Sequence, residues 1–282
     1  MAMILWTLVI SLALAFVLGF LLGVFRKVFH VETDETVAEI RGVLPGANCG
    51  GCGYPGCDGL AAAIAAGSAP VTACTAGGPA VAEAIGAILG VQAQAEKKAA
   101  VLLCRGSREK APDKAFYTGV PSCRAAKISV NGTKQCDSGC IGFGDCASAC
   151  PFGAVQMSAD GLPVVDLETC TGCGVCVSAC PQHLLALFPV SGTGALLRCS
   201  CCNPVKNRLL KDCKAACIKC GKCARQCHAN AITMDPDSGL PAVDRSLCDS
   251  CGECVRGCPT GALCLAETVF SPAKEAESLG SA

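Results

Sequence analysis

The chain has 282 residues, 27 of them cysteine, with 23 basic and 23 acidic side chains and only 4% aromatic residues. That length suffices for two or three small domains, but so few large aromatics exclude ordinary hydrophobic cores as their main support, and inorganic cross-links must do part of that work. The shortage of stacking rings also argues against a nucleic-acid partner.

Met1 to Phe25 carries no charge, and Ile4 to Phe25 is long enough to cross a bilayer at about 1.5 Å per residue. A signal peptide would need a basic start, a shorter apolar core and a small-residue cleavage site, so residues 1–27 are expected to form a retained transmembrane anchor. Arg26 and Lys27 follow at once, and nothing basic precedes the span. The positive-inside rule then predicts a single pass through the inner (cytoplasmic) membrane with everything after Lys27 in the cytoplasm, where thiols stay reduced and disulfides are not expected. Within the span Ser11, Ala15, Gly19 and Gly23 line one face. They either admit a partner helix or simply reflect how common small residues are in membrane helices.

A small domain is expected over 28–98. Val31 to Leu44 reads as a short amphipathic connection with Val37 and Ile40 on one side. It leads into NCGGCGYPGC, which with Cys74 gives Cys49-x2-Cys52-x4-Cys57-x16-Cys74. The glycines allow a tight loop and leave backbone N–H groups free for sulfur. This predicts a [4Fe-4S] cluster, with zinc as the alternative. Ala61 to Ala66 and Val81 to Ile88 read as helices packed around the loop, and Ala99 to Leu103 as a strand.

The first of two repeated units is placed at 99–191. Its second cysteine group, Cys170, Cys173, Cys176, Cys180 and Pro181, is the run of bacterial ferredoxins, in which three thiolates hold one cluster and the fourth ligates its neighbour. The first group is Cys136, Cys140, Cys146, Cys150 and Pro151, with Phe143 where a second cysteine would stand. Cys136 is the natural replacement, so one cluster is expected on Cys136, Cys140, Cys146 and Cys180, and the other on Cys170, Cys173, Cys176 and Cys150. Zinc explains this spacing less well, because it has no need of Cys-Pro.

Gly192 to Gly194 reads as a hinge into a second unit over 192–266, followed by a tail over 267–282 that is solvated from Ser271. By the same exchange, Cys217, Cys220, Cys223 and Cys258 hold one cluster, and Cys248, Cys251, Cys254 and Cys227 another. The repeat extends upstream, where Cys104 matches Cys199 and Cys123-Arg-Ala-Ala matches Cys213-Lys-Ala-Ala, as in a tandem array. Ala154 to Asp166 and Ala231 to Asp244 each read as strand, turn, strand. Cys104, Cys123, Cys199, Cys201, Cys202, Cys213 and Cys264 remain. They are read first as reduced thiols buried in the module; the other reading is that some hold a further cluster or replace a missing ligand. The expected fold is therefore α+β: a transmembrane helix, a small cysteine-rich cluster domain and two tandem ferredoxin-like units, with five [4Fe-4S] clusters and a sixth if leftover cysteines ligate.

With the anchor, the Cys49 loop and the paired runs together, the chain resembles the B subunit of the Rnf complex, in the longer form with two ferredoxin-like units. The resemblance implies an electron-transfer component of an ion-translocating ferredoxin:NAD+ oxidoreductase, relaying electrons between reduced ferredoxin and partner flavin- or NAD-binding subunits, coupled to sodium or proton transport. His228, following Cys227 where proline is usual, is the one departure. The sequence carries no GxGxxG after a strand, no phosphate loop and no nucleophile with a base, so the flavin and nicotinamide chemistry belongs on partner subunits.

Charge is uneven along the chain. Gln135 to Leu197 lacks lysine and arginine, whereas Arg198 to Arg225 has eight basic residues, including Lys219, Lys222 and Arg225. These either dock an acidic carrier such as soluble ferredoxin or offset the charge of the clusters. A membrane-tethered reducer of a redox-sensing regulator and a zinc scaffold are the rival functions.

Overall fold

The computed structural model describes residues 2–28 and 34–270. Helix α1, Ala2–Val28, is 27 residues long, and its segment Met3–Phe25 has a mean hydropathy of 2.8 with none of it buried. Residues 29–33, at the start of the expected amphipathic connection, and 271–282, most of the expected tail, lie outside the described residues.

Helix α2 spans Glu35–Val43, its first turn capped by the Asp34 carboxylate, which accepts the Thr36 N–H. Ile40 is completely buried against Leu60, Ile64 and Ile85, and the Arg41–Asp58 ion pair at 2.7 Å ties α2 to the next helix. That helix, α3, Cys57–Ala65, starts four residues ahead of the expected Ala61, because Gly56 turns the chain at a φ of 99° and the Asn48 side chain accepts the Cys57 N–H at 2.8 Å. Helix α4, Gly78–Leu89, opens on Pro79 and closes on Gly90 in the left-handed region, the usual proline-first, glycine-last punctuation.

Each repeated unit is framed by an outer and an inner two-stranded antiparallel sheet. In the first, β1 (Lys98–Leu102) pairs with β4 (Leu185–Pro189) and β2 (Val155–Met157) with β3 (Pro163–Val165). In the second, β5 (Ala195–Leu197) pairs with β8 (Leu263–Leu265) and β6 (Ile232–Met234) with β7 (Pro241–Val243). The inner hairpins match the two strand-turn-strand stretches expected. Helices α5 (Cys123–Val130), α6 (Asp145–Ser148) and α7 (Val175–Ala179) belong to the first unit, and α8 (Lys206–Asp212), α9 (Lys222–Gln226), α10 (Glu253–Arg256) and α11 (Ala266–Val269) to the second. Helices α6, α7, α9 and α10 each follow a left-handed glycine, Gly144, Gly174, Gly221 and Gly252, a turn that costs glycine least. The third cysteine of the run is buried in three of them, Cys146, Cys176 and Cys254, and Cys223 in α9 is half-buried.

The two units are packed against each other. Val101, Leu196 and Ala266 are buried together, flanked by Phe188, Val269 and Phe270, so α11 begins where a tail was expected but belongs to the core. Arg105 donates to the Gly261 carbonyl, Arg198 Nε to the Leu102 carbonyl at 3.2 Å, and the Lys214 N–H to the Lys110 carbonyl at 2.8 Å. Arg245 stacks over the Phe188 ring at 4.9 Å. The expected hinge at Gly192 to Gly194 is instead pinned from both sides. The Gly194 N–H donates to Ser250 Oγ at 2.7 Å, and its carbonyl accepts the Ala266 N–H at 2.8 Å.

Candidate metal centres

Cysteines from separate stretches of sequence converge on shared cavities. Cys49, Cys52, Cys57 and Cys74 line one with Asn48, Gly50 and Leu60. Burial pushes the Cys74 thiol up, against the Gly77 N–H, and the charges of Cys57, Cys52 and Cys49 add to the rise. In the second unit Cys217, Cys220 and Cys223 line a cavity with Cys258, contributed by the other run. Burial works against the Cys258 thiolate, yet N–H groups of Thr260, Leu263 and Ala262 hold that thiol below its ordinary value.

In two further sets the cysteines of one run lie near enough to those of the other to act on them electrostatically. Burial, then the charges of Cys170, Cys173, Cys146 and Cys150, drives Cys176 up to about 12. Burial, then Cys248, Cys251, Cys223 and Cys227, drives Cys254 up to about 11. Desolvated thiolates crowded in this way repel one another unless a cation draws them together.

The first cage of the first unit departs from expectation. Its cavity is lined by Cys140, Cys146 and Cys180 together with Cys123, while Cys136 stands elsewhere, hydrogen-bonded to Cys201 of the second unit. That bond favours the Cys201 thiolate and pushes the Cys136 thiol up. Cys123 also lies close enough to act electrostatically on both Cys140 and Cys146. The Asp145 carboxylate sets its position by accepting the Cys123 and Arg124 N–H groups at 2.8 and 3.0 Å and the Ser122 hydroxyl at 2.9 Å. Phe143, in the place of the missing cysteine, packs its ring 5.6 Å from Tyr117 and against the group of Cys123, Ala126 and Ile141. The sequence offered one signal for this, the spare Cys123, which opens α5 here, whereas its counterpart Cys213 follows α8 outside any helix; nearness along the chain favoured Cys136.

His228 pairs with Asp249 at 2.7 Å on the surface. The sulfur of Cys227 accepts the Ala231 N–H at 3.3 Å, as Cys180 accepts that of Leu184 at 3.5 Å beside its proline, so the exchange of proline for histidine preserves that contact. Lys219 is only 8% exposed and donates to the Asn203 and Ser238 carbonyls at 2.9 and 2.6 Å. It is a buried strut, which corrects its expected place in a docking patch.

The fit to a metal group can be tested on the spacing. Four thiolates around one zinc, with bonds of about 2.3 Å, would stand about 4 Å apart. Among the described residues the group of ligand atoms that close together is His228, Cys251 and Glu253, within 4.8 Å of one another; no set of three cysteine sulfurs is. Soft thiolates held further apart than one metal ion needs, in glycine-rich loops that offer N–H groups to sulfur, suit an iron–sulfur cubane. Fold and donor set together define an iron–sulfur electron-transfer protein with an apolar N-terminal helix.

Comparison with known proteins agrees. A family model for an Fe-S cluster matches residues 44–76, and one for a 4Fe-4S dicluster domain matches residues 135–184 and again 216–262. The chain is 43% identical over 241 residues to the B subunit of the Na(+)-translocating ferredoxin:NAD(+) oxidoreductase complex of Acetobacterium woodii, covering 76% of this chain and 72% of that one. It is 38% identical to the proton-translocating counterpart of Clostridium ljungdahlii, over 86% of this chain and 82% of that one. With the B subunit of the ion-translocating oxidoreductase complex of Methanosarcina acetivorans the identity is 39%, over 73% of this chain and 78% of that one. The chain belongs to the family of B subunits of ion-translocating oxidoreductase complexes.

Proposed function

We propose that this chain is the membrane-anchored electron wire of a ferredoxin:NAD+ oxidoreductase complex that drives sodium or proton transport. The observation that carries the proposal is the exchange of cysteines between runs around common cavities, Cys180 beside Cys140 and Cys146 and Cys258 beside Cys217, Cys220 and Cys223. Five [4Fe-4S] clusters are assigned. Their ligand sets are Cys49, Cys52, Cys57 and Cys74; Cys123, Cys140, Cys146 and Cys180; Cys150, Cys170, Cys173 and Cys176; Cys217, Cys220, Cys223 and Cys258; and Cys227, Cys248, Cys251 and Cys254. When bound, such clusters supply one-electron transfer, and the protein sets their potentials through N–H to sulfur bonds, nearby charge and exclusion of water.

The cages follow one another in space. The loop bearing Cys49 touches the first unit, where Thr75 Oγ1 donates to the Cys173 carbonyl at 3.5 Å and a Cβ on Gly51 would overlap that same oxygen. Cys176 lies beside Cys146 and Cys150, linking the two cages of that unit, and Cys254 beside Cys223 and Cys227 does so in the second. Arg26 and Lys27 support a cytoplasmic placement of these cages. The exposed Lys222 and Arg225 on α9 support docking of an acidic carrier such as reduced ferredoxin at the second unit; flavin and NAD would bind to other subunits.

The test is iron, acid-labile sulfide and zinc per chain in anaerobically purified full-length protein. At least about twenty iron and twenty sulfide is expected from five cubanes. Zinc without sulfide would sink the proposal.

A further inference from the structure

Five cysteines remain near the junction of the units: Cys104 and Cys136 from the first, and Cys199, Cys201 and Cys213 from the second. Cys104 and Cys213 are brought together across Gly106, whose absent Cβ would stand 3.5 Å from each of their sulfurs. The Gly106 N–H donates to Cys104 at 3.4 Å. Cys201 and Cys213 are buried in one apolar group with Ala111, Leu209, Ala215 and Ala216, and Cys136 and Cys199 pack against it. Cys136 and Cys201 meet through their hydrogen bond, and Cys104 lies near enough to Cys136 to act on it electrostatically. Cys199 faces the other way, accepting the Cys217 N–H at 3.3 Å.

Charge supports a negative occupant. Lys134, only 4% exposed, donates its ammonium group to the Gly106 carbonyl, and its charge reaches Cys140 and Cys213. The buried Lys219 acts in the same way on Cys201. Burying one ammonium group near Cys213 and another near Cys201 is costly unless those sulfurs carry negative charge. Position supports it too. Cys140, in a cage of the first unit, lies on one side, close to Cys104; Cys217, in a cage of the second, lies on the other, beside Cys199.

We propose that Cys104, Cys136, Cys201 and Cys213 hold a sixth [4Fe-4S] cluster, built from both units, at the point where electrons cross between them. It rests on the assignment of cubanes to the other cages. Four thiols give up their protons as four irons and four sulfides are taken in, and Cys199 orients the Cys217 backbone on the far side. The exposed Cys202 and Cys264, which donates to the Leu196 carbonyl at 3.8 Å, take no part.

The experiment is an iron and sulfide count on full-length, anaerobically purified protein, with EPR of the dithionite-reduced sample, for wild type and for Cys201→Ala, Cys213→Ala and Cys202→Ala. Wild type should hold about twenty-four of each, the first two variants about twenty, and Cys202→Ala about twenty-four. About twenty in wild type would overturn the sixth cluster while leaving the other five assigned, whereas absent sulfide would overturn both. Retention of about twenty-four by Cys213→Ala would also overturn it. The wild-type count decides the matter even if the variants fail to fold.

Discussion

Phe143 occupies the place where the run through Cys140 and Cys146 would carry its second thiolate, and its ring instead packs against the group holding Cys123. In the proposed assignment Cys123, which opens α5 and lines the cavity of Cys140, Cys146 and Cys180, supplies the ligand that the run lacks. If that is so, Cys123→Ala should lose about four irons, and Phe143→Cys should restore them in that background but not in Cys136→Ala; iron counts on the two double variants decide. Asp145 holds the arrangement through three hydrogen bonds, so Asp145→Ala should lower stability by about 2 kcal/mol, and Asp145→Asn by less, read from the denaturant midpoint. The buried thiols also make a pH prediction. Burial raises Cys140 and Cys146 from an ordinary 9.0 to about 12 and about 11, so the metal-free fold binds their protons more tightly than the unfolded chain does. That contribution is complete below about pH 9 and is lost as pH rises toward the folded values. The denaturant midpoint of metal-free protein should fall over that range, while the loaded protein, whose thiolates are already deprotonated on iron, should lack this loss.

At the level of elements, the hairpins Val155 to Val165 and Ile232 to Val243 were legible because alternation and turn residues are local signals. The short helices inside the cysteine runs were not, since four or five residues leave no periodicity to read; the glycine before each is their only mark. Gly192 to Gly194 looked like a hinge because composition cannot show that Ser250 and Ala266, more than fifty residues on, bind its backbone. Spacing alone also left unseen how the Cys49 loop meets Cys173. Gly51 sits against the Cys173 carbonyl with no room for a Cβ. Gly51→Ala should therefore leave the iron content unchanged but push the two loops apart, slowing electron transfer between the N-terminal cage and the first unit. Rapid-freeze EPR after mixing with a reductant would show this as delayed reduction of one of the two; unchanged timing would mean that the contact carries no electrons.

For the whole molecule, the basic stretch Arg198 to Arg225 divides into a buried Lys219 and an exposed pair, and Lys134 from outside that stretch joins Lys219. Lys134 and Lys219 are buried against backbone carbonyls and beside thiols, where they offset charge inside the protein. Lys222 and Arg225 lie one helical turn apart on the exposed face of α9, next to the cage of Cys217, Cys220, Cys223 and Cys258, whose cavity Lys222 helps to line. The two pairs should respond differently to substitution. Removing Lys134 as Lys134→Met takes a positive charge away from thiolate-bound iron, so the nearest cluster should become harder to reduce, with a lower midpoint in an EPR-monitored titration at any salt concentration. Reversing the surface pair as Lys222→Glu with Arg225→Glu should leave the midpoints nearly unchanged but slow reduction by reduced ferredoxin roughly tenfold or more at low salt, because it reverses the field that steers an acidic carrier. The difference from wild type should shrink toward nothing at about 0.5 M salt, where screening cuts the field to a few ångströms. Stopped-flow reduction rates across that salt range separate the roles: equal rates at low salt would put the carrier's docking site elsewhere on the complex, and a slowing that persists at high salt would mean that the pair tunes the cage itself.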